Sequence, residues 1–502
     1  MTDRTEIFPE NIDFFPPDDI VFSVNPFKRA MNRILTGFAL CAVTFNFFNL
    51  NYILPVIGML LILLGFRSLR GENKWFSLCF TIALIRLFYL CATLIINTTI
   101  HHTDIYASRL MIVAAVLNVL LLFVLFILFG KALITVQQKA DLPQGAGGIS
   151  ALIIWYAVLF GLALLKAEGL VIAIIMLVSF SFIIYSLFNV SKVLDDAGYA
   201  ITPAPVKISD FLLCSIICAL LIFGGICVNY FFGSYPMDWQ LYDANEHENT
   251  QELKAQLAAL GFPEEVLNDL SLTDLLSCKD ALNVKVETQL HPLNDGRQVT
   301  EVKTDASGRK TYVHSTVYDQ KELRITSVAV LLPTEKPSWK IFHHFTWEAE
   351  HKFYGTECIR IIPAYNFGTS QGWMPMGEIS GHILYDENNI TYIAPYKFLG
   401  RQIHHSNDMF FGQNTTADIY ATFSMPKHGT KHRGYVCYTT IENQPGWLLS
   451  SWVEYTHRQN RFQYPNRTAM EETQKGILEK SNAYKTVSDA IQFYPYNKTP
   501  TE

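Results

Sequence analysis

Between Phe211 and Phe232 the chain carries no charged residue. Charge is scarce elsewhere too: Asp, Glu, Lys and Arg make up 17% of the 502 residues, against about a quarter in ordinary soluble proteins. The shortage is uneven. Residues 34–231 are dominated by Leu, Ile, Phe, Val and Ala, whereas 236–502 have the mixed composition of a water-soluble domain. A membrane half followed by a soluble half is the division this implies.

Other absences narrow the function. A net charge of -6 with no clustered basic face excludes a nucleic-acid partner. No cleavable signal is visible in the first 33 residues, which hold Pro9, Pro16, Pro17, Pro26 and six acids, so the first membrane helix is expected to act as an uncleaved signal. Of nine cysteines, only Cys278, Cys358 and Cys437 fall in the soluble half. That leaves room for one disulfide and excludes a disulfide-stapled scaffold. The other six (Cys41, Cys79, Cys91, Cys214, Cys218 and Cys227) lie in apolar segments, where a thiol packs as a small side chain. No cofactor motif is present, and no cofactor or metal is expected.

What is present is a series of apolar runs. About 20 mainly apolar residues span a bilayer core, and seven segments fit, at roughly 33–48, 51–66, 75–97, 110–130, 150–166, 169–190 and 211–232. Residues 34–66 as one helix would run about 50 Å at 1.5 Å per residue, far beyond a core of about 30 Å. Asn49, Asn51 and Pro55 interrupt the run, so a hairpin is expected. Lys166, Glu168 and Gly169 mark a second tight turn. Lys and Arg cluster on alternate connections: Lys28, Arg29 and Arg33; Arg67, Arg70 and Lys74; Lys131 and Lys139; Lys192 and Lys207. The remaining connections hold only Arg109 and Lys166. Seven crossings with a cytoplasmic N-terminus put every rich cluster inside. The chain then divides into a cytoplasmic tail (1–32), a seven-helix transmembrane domain (33–232), a short helical cap (236–281) and an extracytoplasmic β-rich domain (282–502), with the plasma membrane as the expected location.

Arg86 is the one ionisable residue near a helix midpoint, and no Asp or Glu inside a crossing is available to pair with it. Such a charge is costly and marks a functional site by default: an anion contact for a lipid phosphate or carboxylate, or for an acidic helix of another subunit. The structural alternative is an arginine satisfied by backbone carbonyls and neutral neighbours among Asn46, Thr81, Asn118 and Tyr156. Cys214 and Cys218 share a helix face that Gly225 continues, a spacing suited to close helix packing. The crossings lack the histidines of a membrane zinc hydrolase and the base of an intramembrane serine protease. For a transporter, no internal repeat is evident.

In the outer half, residues 241–281 read as three short helices: "TQELKAQLAAL", "PEEVLNDL" and "SLTDLLSCKDAL". This cap is expected between the membrane and the main fold. From about 282 the period becomes two. About ten short strands, from "LNVKVETQL" to "WLLSSWVEYTHR", predict an antiparallel β-sandwich or barrel within an α+β domain. Residues 466–490 return to a helical period. Twelve of fourteen histidines are here, including the doublets His343–His344 and His404–His405. Neighbours in a strand point to opposite faces, so one doublet does not chelate one ion. A metal site would need His343 or His344 joined by Glu348, Glu350, His351 or His382. The aromatics, Trp347 and Trp373 among them, suit either a stacking surface or a core. Asn-X-Thr triplets at Asn389, Asn414, Asn466 and Asn497 are glycosylation acceptors in a eukaryotic secretory route.

The cytoplasmic parts are too short to fold a domain, which needs roughly 50 residues. The expectation is therefore a multi-pass membrane protein that contacts lipid through its helices. Its outer domain would bind a surface or envelope ligand or protein partner, as a sensor, regulatory or assembly component with other membrane subunits. Two other functions fit less of the sequence. One is a permease or transporter accessory subunit using Arg86. The other is an outer-surface hydrolase using His343, His344 and Glu348. Binding residues named on these grounds are Arg86, His343, His344, Glu348, Trp347 and Trp373.

Overall fold

The computed structural model describes residues 26–43, 49–145, 147–167, 169–197, 199, 201, 204–243, 250–304, 310–349, 352–363, 372–408, 412–475 and 481–495. The chain divides into two compact units, Met1–Val228 and Asn229–Glu502.

The first unit is helical. Its elements are α1 (Pro26–Ala42), α2 (Leu50–Leu69), α3 (Lys74–Ile96), α4 (His102–Ala107), α5 (Arg109–Lys139), α6 (Gly147–Leu164), α7 (Leu170–Asp196) and α8 (Asp210–Phe232). Six of these (α2, α3, α5, α6, α7 and α8) are long and apolar enough to cross a membrane. The first helix differs from expectation. It starts at Pro26 rather than near residue 33, and its 17 residues make it shorter than the six. The early start follows from its sequence, because Phe27, Ala30, Met31, Ile34, Leu35 and Phe38 are all buried at helical spacing. Lys28, Arg29, Asn32 and Arg33 occupy the other face. The turns at Lys166 (φ 51) and Gly169 (φ 156) separate α6 from α7 as the sequence indicated.

Glycines bring α1 against α2. A Cβ on Gly37 would lie 2.5 Å from the Gly58 carbonyl oxygen, and one on Gly65 would lie 2.7 Å from that of Ala30. Without a hydrophobic drive between helices in lipid, such close approach is a main source of packing energy. On α8, Cys214 packs against the core at its edge, and Gly224 and Gly225 face Ile95 and Thr98. Outward faces of α5 to α8 are apolar and exposed, with Leu110, Val113, Phe182 and Phe223 among them, as a lipid-facing surface requires.

One end of this unit collects charge. Lys28 pairs with Asp195 (2.9 Å), and Asp210 accepts from Arg33 (2.8 Å) and Arg67 (3.1 Å). Glu72 holds Lys139 (2.6 Å) and the Tyr199 hydroxyl (2.5 Å), while Arg70 donates to the Pro205 carbonyl (2.7 Å). Helices α1, α3, α6 and α8 begin at this end, and α2, α5 and α7 finish at it.

The second unit is built on antiparallel sheets. Its strands are β1 (Gln240–Leu241), β2 (Asn283–His291), β3 (Arg297–Thr304), β4 (Lys310–Val317), β5 (Leu323–Leu332), β6 (Ser338–Trp347), β7 (Glu357–Pro363), β8 (Trp373–Glu387), β9 (Ile390–Pro395), β10 (Phe398–Asp408), β11 (Gly412–Phe423), β12 (Thr430–Glu442), β13 (Leu449–Arg458) and β14 (Tyr484–Phe493). One sheet has the order β1-β9-β8-β12-β6-β5-β2 and another β10-β11-β7-β13-β14; β3 and β4 form a separate hairpin. The inner faces of the two larger sheets share one apolar cluster, in which Phe345 of β6 stacks on Phe423 of β11 at 5.6 Å.

Three cap helices, α9 (Gln251–Ala259), α10 (Glu264–Asp269) and α11 (Leu272–Leu276), fall where the sequence placed them. They cover the other face of the seven-stranded sheet, with Leu257, Phe262, Val266 and Leu275 against Val328, Val330 and Phe342. Strands β5 and β6 are therefore buried on both faces. That explains why "LRITSVAVLL" and "SWKIFHHFTW" read as near-continuous apolar runs rather than clean alternation. The stretch 466–490 departs from its helical reading: among its described residues only α12 (Ala469–Thr473) is helical, and β14 follows. A capping box between Thr468 and Glu471 starts that helix. Strands β1, β3, β10 and β14 were not expected.

Candidate functional site

Arg86 lies twelve residues after Lys74, near the middle of α3. Its Nε and Nη1 are buried, with no hydrogen-bond acceptor among the described residues. In α5 the Oδ1 of Asn118 is likewise buried with no donor. The groups that interact electrostatically with the guanidinium are Tyr156 of α6 and Cys41 of α1. Thr81 is turned to its own helix, donating to the Ser77 carbonyl at 3.2 Å. Asn46 lies outside the described residues.

In the β-rich unit His343, His344, Trp347 and Trp373 sit in the interior, whereas Glu348 is exposed. His343 points inward between the two large sheets. Its Nδ1 is 2.7 Å from Ser327 Oγ, and its Nε2 is 2.7 Å from Ser451 Oγ, which also accepts from Tyr438 (2.8 Å). Burial pushes its pKa down to about 3, so the ring is neutral. His344, one residue on, points to the cap, with Nε2 2.8 Å from Asp269 Oδ2. The doublet thus splits across the sheet, as the period of two requires. Trp347 is in the core, donating to the Tyr455 hydroxyl (3.2 Å) and packed edge-on to Phe353 (5.3 Å). Trp373 is also buried and donates to the Trp447 carbonyl at 3.1 Å, while Trp447 itself is exposed. Glu348 forms an ion pair with Arg324 Nε at 2.6 Å. His343, His344 and Glu348 are consequently held by three different partner sets and form no common site. Glu350 and His351 lie outside the described residues, as do the side chains of His404 and His405.

The residues that do converge come from separate elements. Asp274 of α11 accepts from five donors. Oδ1 takes Lys340 Nζ (2.7 Å), Ser380 Oγ (2.6 Å) and Cys437 Sγ (3.4 Å), and Oδ2 takes the Tyr435 hydroxyl (2.6 Å) and Ser271 Oγ (2.9 Å). Burial pushes this carboxyl up, but the Lys340 ammonium and the hydroxyl donors outweigh it and hold the pKa at about 2. Next to it, Asp269 meets His344 and Arg433 (2.9 Å), and its carbonyl receives His382 Nε2 (2.8 Å). Burial lowers the His382 pKa to about 4, against the opposing pull of that carbonyl. Two histidines and a carboxylate meet there, but Arg433 fills the remaining side with positive charge. Among the described residues no group of three ligands is arranged for a metal. These contacts clamp the cap to the sheet. Nothing in the spacing of 269, 274, 340, 380 and 433–437 signals it, because the fold alone brings those positions together.

All nine cysteines are free thiols, and Cys278, Cys358 and Cys437 are buried without a disulfide. Asn466 is fully buried, accepting from Arg458 Nη1 at 2.7 Å, which closes it to glycosylation in the folded state. Asn389 is exposed in the β8–β9 turn. The open surface has a polar cleft of about 720 Å³, lined by Asn294, Asp295, Lys352, Tyr354, Gln459 and Asn482 among others. Its walls are fixed by Asn294 donating to the Gln320 carbonyl (2.9 Å) and Asn460 to that of Asn482 (2.8 Å). A second trough of about 580 Å³ shares Lys352 and adds Asp386, Glu387, Lys427 and His428.

No family model matches the chain, and no curated protein is similar to it. Among solved structures, one described as a pore forming protein is 9% identical, covering 39% of this chain and 96% of its own, with a TM-score of 0.16. A second, the KRT10-binding region domain of the pneumococcal serine rich repeat protein PsrP, is 13% identical, covering 37% and 95%, with a TM-score of 0.15. Neither likeness carries a functional argument.

Proposed function

We propose that this protein is a seven-crossing membrane component whose β-rich unit faces away from the cytoplasm and binds a surface or envelope ligand or protein partner. The observation that carries this reading is the direction of α8, which starts at the charged end, where Arg33 and Arg67 meet Asp210, and runs away from it. Lys and Arg collect on cytoplasmic connections, so the chain leaves the bundle on the other side. That inference does not depend on whether α1 crosses. Its glycine-mediated packing along α2 supports α1 as the seventh crossing, with the N-terminus inside.

Two sheets with a shared inner cluster support a β-sandwich. A sandwich closed by a clamped cap offers a rigid outer surface, and the amide-lined cleft beside Tyr354 is an open feature of that surface. Polar walls, one aromatic ring and charges of both signs suit a hydroxyl-rich or peptide-like ligand rather than an apolar one. With short cytoplasmic loops, a bound state is read out by other membrane subunits.

The test is protease treatment of intact cells carrying a tag after Glu502. Loss of the tag with the helical fragment intact is expected. Protection of the tag, with the protease shown to be active, places the β-rich unit in the cytoplasm and ends this reading. For the cleft, Tyr354→Ala with Lys352→Glu is expected to abolish retention of the ligand or partner without altering the melting temperature.

A further inference from the structure

The α3–α5 seam contains donors and an acceptor that no described residue satisfies. Two contacts fix the register of these antiparallel helices: Asn73 Nδ2 to the Ala132 carbonyl (3.3 Å) and Cys79 Sγ to that of Leu125 (3.9 Å). Arg86 is seven residues after Cys79, and Asn118 is seven residues before Leu125. Seven residues are about two turns, so both residues return to the same seam, at the same level. There, among the described residues, Arg86 Nε and Nη1 lack an acceptor, and Asn118 Oδ1 lacks a donor.

Ordered water could complete those hydrogen bonds, but it would leave the charge uncompensated. Tyr156 and Cys41, which face the guanidinium, are neutral groups at neutral pH. No Asp or Glu occurs in α1 to α8 outside a terminal turn. A buried cation of this kind persists when an anion is paired with it. The adjacent unmet acceptor adds a second requirement, that the anion bring its own hydrogen-bond donor.

We infer that Arg86 and Asn118 form a site for a phosphate group that carries a donor. Arg86 receives two phosphate oxygens in a forked contact. Asn118 Oδ1 accepts from the P–O–H of hydrogen phosphate or a phosphomonoester, or from the hydroxyl or ammonium of a phospholipid headgroup. Depth separates the two sources. Arg86 is about 18 Å along α3 from Lys74 at 1.5 Å per residue, below the level of headgroups in an undisturbed leaflet. A lipid must therefore dip toward the seam, whereas a solute must enter it. The site is independent of what the β-rich unit binds.

The test uses the full chain purified in detergent and reconstituted into vesicles. In the solute arm, binding of inorganic phosphate is measured in phosphatidylcholine vesicles. In the lipid arm, phosphatidylglycerol retained by the purified protein is counted by native mass spectrometry. One of the two ligands is expected to bind. Arg86→Gln and Asn118→Leu should each weaken it tenfold or more, and Arg86→Lys should restore part of the loss. Asn118→Leu leaves the charge in place, so it serves if Arg86→Gln does not fold. Three outcomes overturn the inference: neither ligand distinguishing the wild type from these variants, Arg86→Met melting higher than the wild type with no ligand lost, or an acidic membrane protein retained through Arg86 instead.

Discussion

In the helical unit Arg86 keeps two buried nitrogens without an acceptor among the described residues, whereas in the β-rich unit Asp274 spends its two oxygens on five donors. The difference follows from what surrounds each group. The helices of a membrane bundle satisfy their own backbones and contribute few polar side chains at depth, so a single charge finds no complement there. A sheet covered by helices draws side chains from many segments to one face, and the clamp takes its members from α11, β6, β8 and β12. Both arrangements bury charge, and only one closes its hydrogen bonding among the described residues.

Acid should separate the two units most. His343, His382 and His432 are buried and neutral, with folded-state pKa values pushed by burial from 6.5 to about 3, about 4 and about 4. Below about pH 6.5 the unfolded chain takes up protons that the folded one refuses, so stability falls as pH drops. The slope is up to about 1.4 kcal/mol per pH unit for each histidine. The loss continues to about pH 4 for His382 and His432 and to about pH 3 for His343. The Asp274 clamp behaves differently. Its depressed carboxyl contributes above the unfolded value of 3.8 and loses that contribution only as pH falls toward about 2. Six of eight tryptophans lie in the β-rich unit, all but Trp75 and Trp155, so fluorescence melts recorded from pH 7 to pH 4 report it. A flat melting temperature over that range would refute the neutral-histidine account.

Breaking the clamp comes next. Asp274→Ala strands Lys340 beneath the cap and is expected to cost about 3–5 kcal/mol, read by denaturant unfolding. Asp274→Leu combined with Lys340→Met should cost less than Asp274→Ala alone, because no buried charge is then left behind. In the helical unit, Gly37→Leu forces a side chain into the Gly58 carbonyl. Overpacking of this kind costs about 1–3 kcal/mol and should loosen α1 from α2, seen as faster proteolysis before α2. The smallest effect concerns thiols. Cys278, whose pKa burial pushes up to about 11, and the fully buried Cys358 and Cys437 should resist thiol reagents until the β-rich unit unfolds. Rapid native labelling of Cys437 would contradict the tight cap–sheet contact.

Several features were legible in the chain because they depend on local pattern. The six long apolar spans, the break at Lys166–Gly169 and the three cap helices follow from composition, period and caps. Ten strands were visible where β-branched and aromatic residues recur. Apart from the two-residue β1, the missed strands share a cause. β3 ("RQVTEVKT") and β10 ("FLGRQIHHSND") are polar and pair mainly through backbone, and β14 carries only a weak alternation. In each, the partner strand decides the conformation, not the residues' own preference. The start of α1 was misjudged because its basic face hid a regular apolar stripe. Trp347 and Trp373 show the same limit at the level of sites, since aromatic content fits a core and a stacking surface equally, and only packing distinguishes them.

The sequence by itself determined the division into an apolar helical half and a β-rich half. It also determined the end at which basic residues collect and the opposite facing of His343 and His344. These are consequences of hydropathy, charge count and strand period, each readable over a few tens of residues. The tertiary structure alone decided that β5 and β6 are covered on both faces and that Asp269 and Asp274 anchor the cap. It also buried polar atoms of Arg86 in α3 and Asn118 in α5 that no described residue satisfies. Those outcomes join positions far apart in sequence, and chain folding sets such distances by packing and hydrogen-bond closure, which no local pattern encodes.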